Sequence, residues 1–181
     1  CYENILERYR KNRSRISVRG LPKRLGYWYS PRRKSELKAL LSAIREAAKE
    51  EHYQKFFLVA FSNILKPVSR WLTKSIKPQV DPNKNPETAL VAFKKQVAFM
   101  FQAVEESPVQ ESTTCDIKTE NLLSCKVNAP FADVVVTSPP YVTSYEYADL
   151  HQLSTLWLNY ATDYRELRKG TIGSMYDDPD V

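Results

Sequence analysis

A continuous run of apolar, β-branched residues limits the possible folds more than any other stretch of this chain. It reads Asp133-Val134-Val135-Val136-Thr137. Branching at Cβ suits an extended strand, and the lack of alternating polar residues is typical of a strand buried on both faces of a parallel sheet. A second short strand is predicted over 113–117, and a helix over 146–160, where leucines recur at helical spacing. Strand, loop and helix in this order predict an α/β fold, in which ligands bind beyond the carboxyl ends of the strands.

Three helices are predicted ahead of this region. A serine cap followed by a proline opens the first, and its apolar periodicity continues over 30–49. The apolar stretch 56–65 predicts a second, buried helix. Prolines throughout 66–86 predict a connector, with a turn at Asp81-Pro82-Asn83. The sequence Asn85-Pro86-Glu87 predicts the start of the third helix.

These patterns divide the chain into three parts. Residues 1–29 are predicted to be a basic, aromatic arm. Residues 30–106 are predicted to be a helical segment, which is either an insertion or a DNA-contacting element. Residues 107–181 are predicted to be part of an α/β domain. Because the chain begins with Cys1 and has no methionine before Met100, we expect it to be a piece of a longer polypeptide.

Positive charge is concentrated at the start of the chain. Residues 1–34 contain eleven Lys or Arg residues against two Glu, whereas acidic residues outnumber basic ones in the remainder. Such clustering is typical of a segment that binds a polyanion, with Arg13 and Arg15 as candidate phosphate contacts, although a solvated, poorly ordered arm has the same pattern. The cluster Tyr27-Trp28-Tyr29 could stack on nucleic-acid bases, but packing into the core is the favoured interpretation.

The cysteine pattern and the hydropathy exclude several classes of protein. The three cysteines show no CxxC spacing and have no histidine nearby, so no metal site is predicted. Their odd number and the lack of a signal peptide favour a reducing, cytoplasmic location. No apolar run reaches the roughly 18 residues that a membrane-spanning helix needs.

The motif Ser138-Pro139-Pro140-Tyr141 directly follows the valine-rich run. An exocyclic amine on a nucleobase is a poor nucleophile, because its lone pair is delocalised into the ring. Hydrogen-bond acceptors around the amine favour a tetrahedral nitrogen and free that lone pair; the Ser138 hydroxyl and the Pro139 carbonyl are the candidate acceptors. Pro140 shapes the loop, and Tyr141 could stack on a base rotated out of the duplex.

The sequence from Asp133 to Tyr141 is similar to the catalytic motif of DNA methyltransferases that methylate exocyclic amino groups. The serine form is typical of enzymes that act on N4 of cytosine. The resemblance covers about 114–174 and includes the stretch 145–158 after the motif. It implies a Rossmann-like fold, S-adenosyl-L-methionine (AdoMet) as cofactor, double-stranded DNA as substrate and a possible cognate restriction endonuclease. It also implies that Asp116 lies near the adenine of the cofactor.

The chain departs from this family in one important respect. The glycine-rich cofactor loop is absent, since the only glycines are Gly20, Gly26, Gly170 and Gly173. We therefore expect an incomplete methyltransferase sheet, preceded by the helical segment. In this family the cofactor loop lies either before or after the catalytic motif, and a position upstream of Cys1 is favoured here. The isolated piece is expected to be inactive.

Several alternatives remain at this point. The base could be adenine, methylated at N6, or the substrate could be RNA. Residues 1–106 could instead be a non-catalytic DNA-binding module joined to an inactive methyltransferase remnant. A C5-cytosine enzyme is excluded, because none of the cysteines follows a proline as the nucleophile of that class does. Arg165, Arg168 and Lys169 could equally contact phosphate or stabilise a helix C-terminus.

Overall fold

The computed structural model describes residues 1–72, 74–75, 77–107, 114–120, 124–125, 132–138 and 147–169. Within this part of the chain the regular structure is helical. Its elements are α1 (Tyr2–Asn12), α2 (Leu25–Trp28), α3 (Pro31–Ala47), α4 (Glu51–Leu65), α5 (Ala89–Glu106), α6 (Tyr147–Leu158) and a 3₁₀ helix (Tyr164–Arg168). None of these helices is both long and apolar enough to cross a membrane.

The predicted α/β fold is wrong. No strand occurs in the described ranges, where the sole extended pairing is an isolated bridge between Trp71 and Val80. The side chains of Val134, Val135 and Val136 are 77%, 80% and 92% exposed rather than buried. Residues 114–117 likewise lack strand structure. β-branched residues favour an extended backbone, but a strand also needs neighbours to pair with, and the described residues provide none.

The predicted helices are confirmed, with shifted ends. The Ser30 side chain accepts a hydrogen bond from the backbone N–H of Arg33, as expected of the cap of α3. Helix α4 begins at Glu51, five residues before the predicted apolar stretch. Helix α5 begins after Thr88, whose hydroxyl accepts from the backbone N–H of Val91, rather than at the predicted Asn-Pro-Glu sequence. Helix α6 matches its prediction to within two residues at each end.

Helix α1 was not predicted as a helix. Its residues Ile5, Leu6 and Tyr9 are buried, and the helix packs along α3. They occupy successive turns of one helical face, which explains why an otherwise polar and charged segment is held against the core. The basic amino-terminal sequence is therefore attached at this point to the packed helices that share the hydrophobic core, which are called here the helical body.

One hydrophobic core connects α1, α3, α4, α5 and α6. The connector between α4 and α5 closes it on one side, because the Trp71 ring stacks on Trp28 with centroids 4.6 Å apart. The predicted turn is confirmed, since the backbone N–H of Asn83 donates to the Asp81 carboxylate over 2.9 Å. Lys84 anchors the same connector by donating to the carbonyl of Trp71 over 2.8 Å, and burial lowers the pKa of its ammonium group.

Candidate functional site

The predicted catalytic motif lies at the edge of the described residues. Ser138 is exposed, at the end of the exposed segment 132–138. Pro139, Pro140 and Tyr141 lie outside the described residues. The predicted position of the motif at the carboxyl end of a buried strand is wrong, because that strand is not formed. The acceptor role of Ser138 stays a prediction.

Helix α6, which follows the motif in the sequence, is fixed to the helical body by a buried glutamine. Gln152 is fully buried, and its side-chain carbonyl accepts from Trp28 Nε1 over 2.9 Å and from Arg24 Nε over 3.3 Å. Its amide nitrogen donates to the backbone carbonyl of Asp149 over 2.8 Å. The polar atoms of the buried amide are thereby satisfied, which a buried polar group requires.

Aromatic packing holds the other end of α6. The Trp157 ring meets Tyr29 and Phe61 edge to face, at centroid distances of 5.8 and 6.0 Å. The hydroxyl of Tyr29 donates to the carbonyl of Leu65 over 2.9 Å, and burial raises the pKa of Tyr29 well above its usual value. The prediction that this aromatic cluster packs in the core is confirmed for Trp28 and Tyr29, whereas Tyr27 is half exposed.

We expect Gln152→Leu to lower the free energy of unfolding by about 2 kcal/mol, because it leaves the buried indole N–H of Trp28 without an acceptor. Urea denaturation followed by tryptophan fluorescence would measure the change. Gln102→Leu is the matched control, since Gln102 is exposed on α5 and bonds to exposed Glu106. Equal decreases in the free energy of unfolding of the two variants would show that the buried hydrogen bonds of Gln152 stabilise the fold no more than an exposed hydrogen bond does.

A cleft of about 370 Å³ lies beside α6 and is called here the basic cleft. It is lined by Pro22, Lys23, Arg24, Leu156, Thr162, Asp163, Tyr164 and Arg165. Arg24 is held over aromatic rings, with its guanidinium carbon 4.5 Å from the centroid of Tyr27 and 6.0 Å from that of Tyr164. Such cation–π contacts fix the orientation of the guanidinium group.

The comparisons with family models, curated proteins and solved structures give no match to this chain.

Two of the sequence-predicted DNA contacts are paired with carboxylates. Arg165 donates to Asp163 through Nε, at 3.0 and 2.9 Å, and through Nη2. Hydrogen bonds from Arg165 lower the pKa of Asp163 to about 2, and the bond from the side chain has a larger effect than the bond from the backbone N–H. Arg168 donates to Asp149 over 2.8 and 3.1 Å. The Arg168–Asp149 pair joins the 3₁₀ helix to α6, whereas the Arg165–Asp163 pair lies within the start of the 3₁₀ helix.

The other candidate contacts are in different positions. Lys169 is exposed at the end of the described carboxyl-terminal range. Arg13 and Arg15 are exposed in the turn after α1, and neither forms a salt bridge within the described part of the chain. Arg13 and Arg15 do not line the basic cleft. Their role in binding DNA stays a prediction.

Asp116, the predicted cofactor contact, is exposed. It forms an exposed ion pair with Lys118, with Nζ and Oδ2 3.2 Å apart, and all of 114–120 is exposed. Asp116 and Ser138 are absent from the lining of the basic cleft and from that of an apolar groove of about 670 Å³ between α1, α4 and α5. The described residues around Asp116 do not by themselves enclose a cofactor, and the role of Asp116 beside AdoMet stays a prediction.

Sequence reasoning missed Lys23, Arg24 and Gln152. The sequence did indicate the region of Lys23 and Arg24, because residues 8–35 contain eleven basic residues and no acidic one. Gln152 had no such signal, because its partner Trp28 lies 124 residues away in the sequence.

Proposed function

We propose that this chain is part of a DNA methyltransferase that uses AdoMet to methylate N4 of cytosine. The observation that carries the proposal is the sequence Thr137-Ser138-Pro139-Pro140-Tyr141, which precedes α6, the helix that begins at Tyr147. The proposal does not require a sheet within the described residues. In this proposal the chain positions the target base and polarises its amine.

The proposed chemistry of the chain concerns the amine of the target base. Ser138 and the carbonyl of Pro139 would accept hydrogen bonds from the two N–H groups, which favours a tetrahedral, nucleophilic nitrogen. Tyr141 would stack on the flipped base, and Pro140 would fix the loop that presents these groups. Mutual geometry matters for such a site, because a displacement of about 1 Å can cost around a hundredfold in rate.

The attachment of α6 supports separate roles for two parts of the chain. The motif would act on the base, and the helical body would hold the DNA. The helix that follows the motif is held to the helical body by the Gln152 network and by Trp157. Helix α6 therefore has a fixed position relative to α2 and α4. A rigid helical body that contacts DNA would restrict where the motif meets the flipped base, which is the role we assign to it.

The proposal is tested by methyl transfer from labelled AdoMet to mixed-sequence DNA, with the complete encoded protein and nucleoside analysis of the product. We expect the label in N4-methylcytosine. Label in N6-methyladenine would retain the amine chemistry and correct the base. Transfer to RNA alone, or no transfer by a folded protein, would contradict the proposal.

A second candidate is a DNA-binding module without catalytic activity. The observation that favours it is the segment 8–35, which contains no acidic residue. Its exposed basic side chains include Arg10, Arg13, Arg15 and Arg19. Cations without acidic partners are available to phosphates, and binding through them weakens steeply with salt. DNA binding with such salt dependence, together with no methyl transfer, would favour this candidate over the first.

A further inference from the structure

The basic cleft brings cations from two distant parts of the chain to one place. Lys23 and Arg24 precede α2, whereas Arg165 belongs to the 3₁₀ helix about 140 positions later. The one acidic side chain in the lining is Asp163, and it is occupied by Arg165. Three cations against one carboxylate leave the lining with a formal charge of +2, which favours an anionic ligand.

Arg24 is oriented before any ligand arrives. Its Nε donates to Gln152 over 3.3 Å, and its guanidinium group lies over the ring of Tyr27. Among the described residues, the two terminal nitrogens form no hydrogen bond and no ion pair. A planar guanidinium with two free nitrogens matches the oxygens of a phosphate group, and a fixed side chain loses little entropy on binding.

Arg165 is oriented in a similar way from the other side. Asp163 holds its Nε and Nη2, so Nη1 remains available for a ligand. Lys23 is exposed, without an acidic partner in the described part of the chain, and the hydroxyl of exposed Thr162 adds a donor to the lining. The cleft thus offers several hydrogen-bond donors, with its carboxylate already engaged.

We propose that the basic cleft binds a backbone phosphodiester group of DNA, with Lys23 and Arg24 on one side of the phosphate and Arg165 on the other. This assignment rests on the proposed function, which makes DNA the substrate. Leu156 of α6 lines the cleft, so a phosphate bound there lies beside the helix that follows the motif. The cleft would set the register of the duplex relative to α6 and would not read its sequence.

Lys23→Ala and Arg165→Ala test this site in the complete protein, with a fluorescent DNA duplex titrated over a series of salt concentrations. We expect each variant to weaken binding about tenfold and to lower the slope of log K against log salt by about one, as the loss of one phosphate contact does. Lys94→Ala and Arg45→Ala are the matched controls, because both side chains are exposed and have no acidic partner among the described residues. The controls should stay within twofold of wild type.

Two results would overturn the cleft assignment. One is that both cleft variants bind DNA with wild-type affinity and salt slope. The other is that an RNA duplex binds more tightly than DNA and loses affinity with the same variants. Because Lys23 and Arg165 are both exposed, neither change removes a core contact, and circular dichroism would verify the fold.

Methyl transfer by the same proteins separates this proposal from the one on which it rests. Weakened DNA binding in the cleft variants, without methyl transfer by wild type, would support the phosphate site and contradict the proposed function. Wild-type methyl transfer with an unchanged KM for DNA in both variants would support the proposed function and overturn the phosphate site.

Discussion

Ser138→Ala is expected to lower kcat for methyl transfer about a hundredfold and to leave the KM for DNA within about twofold of wild type. The substitution removes an acceptor that acts on the amine as positive charge develops on the nitrogen, and the loss of one such preorganised group costs roughly 3 kcal/mol in the transition state. Ser138 is exposed and contributes nothing to the described core, so the fold should be retained. Initial rates with the complete protein would separate kcat from KM.

Ser107→Ala provides the control for this substitution. Ser107 is exposed at the end of α5, outside the motif, and it loses the same hydroxyl. We expect it to retain wild-type rates. Equal activity of Ser138→Ala and wild type would remove the proposed acceptor role, whereas a rise in KM alone would indicate that the hydroxyl contributes to binding rather than to the reaction.

The helices could be predicted because their signals are local. Ser30 stands directly before Pro31, and the apolar spacing of α3 and α6 is visible within a few turns of sequence. Helix α1 was missed because only Ile5, Leu6 and Tyr9 mark its buried face among charged residues. Its helical structure is explained by packing against α3, which no local pattern shows.

The sheet was predicted incorrectly because strand formation depends on partners that are distant in the sequence. Val134 to Val136 have the side chains of a buried strand, yet they are exposed in the described structure. Local preference for an extended backbone is weak compared with pairing and burial. The motif Ser138-Pro139-Pro140-Tyr141 could be recognised without knowledge of the fold, since its residues are adjacent in the sequence.

The basic cleft illustrates the same limit for sites. The charge of Lys23 and Arg24 was visible in the sequence, but their approach to Arg165 depends on the docking of α6 against α2 and α4. Asp163 and Asp149 pair with Arg165 and Arg168, two of the four arginines that were predicted as DNA contacts. Charge clustering therefore predicted a polyanionic ligand, whereas only the fold shows which cations lie close together.

Glu36→Ala is expected to lower the free energy of unfolding by about 3 to 4 kcal/mol. The Glu36 carboxylate is 3% exposed, accepts from Arg33 and Arg32, and accepts from the backbone N–H of Ala89 over 3.2 Å. Arg33 also donates to the carbonyl of Pro86 over 2.8 Å, so one buried cluster connects α3 to the start of α5. Removing the carboxylate leaves the guanidinium of Arg33 largely buried without its counter-ion and Ala89 without an acceptor.

Glu46→Ala on the same helix is the matched control for Glu36→Ala, and urea denaturation would measure both. Glu46 accepts from Ser42 and Arg8, but its side chain is 42% exposed, so water replaces the lost contacts and the cost should stay below about 1 kcal/mol. Similar losses in the two variants would show that burial of the Glu36 cluster adds little. A large loss confined to Glu36→Ala would show that the start of α5 is fixed by this carboxylate.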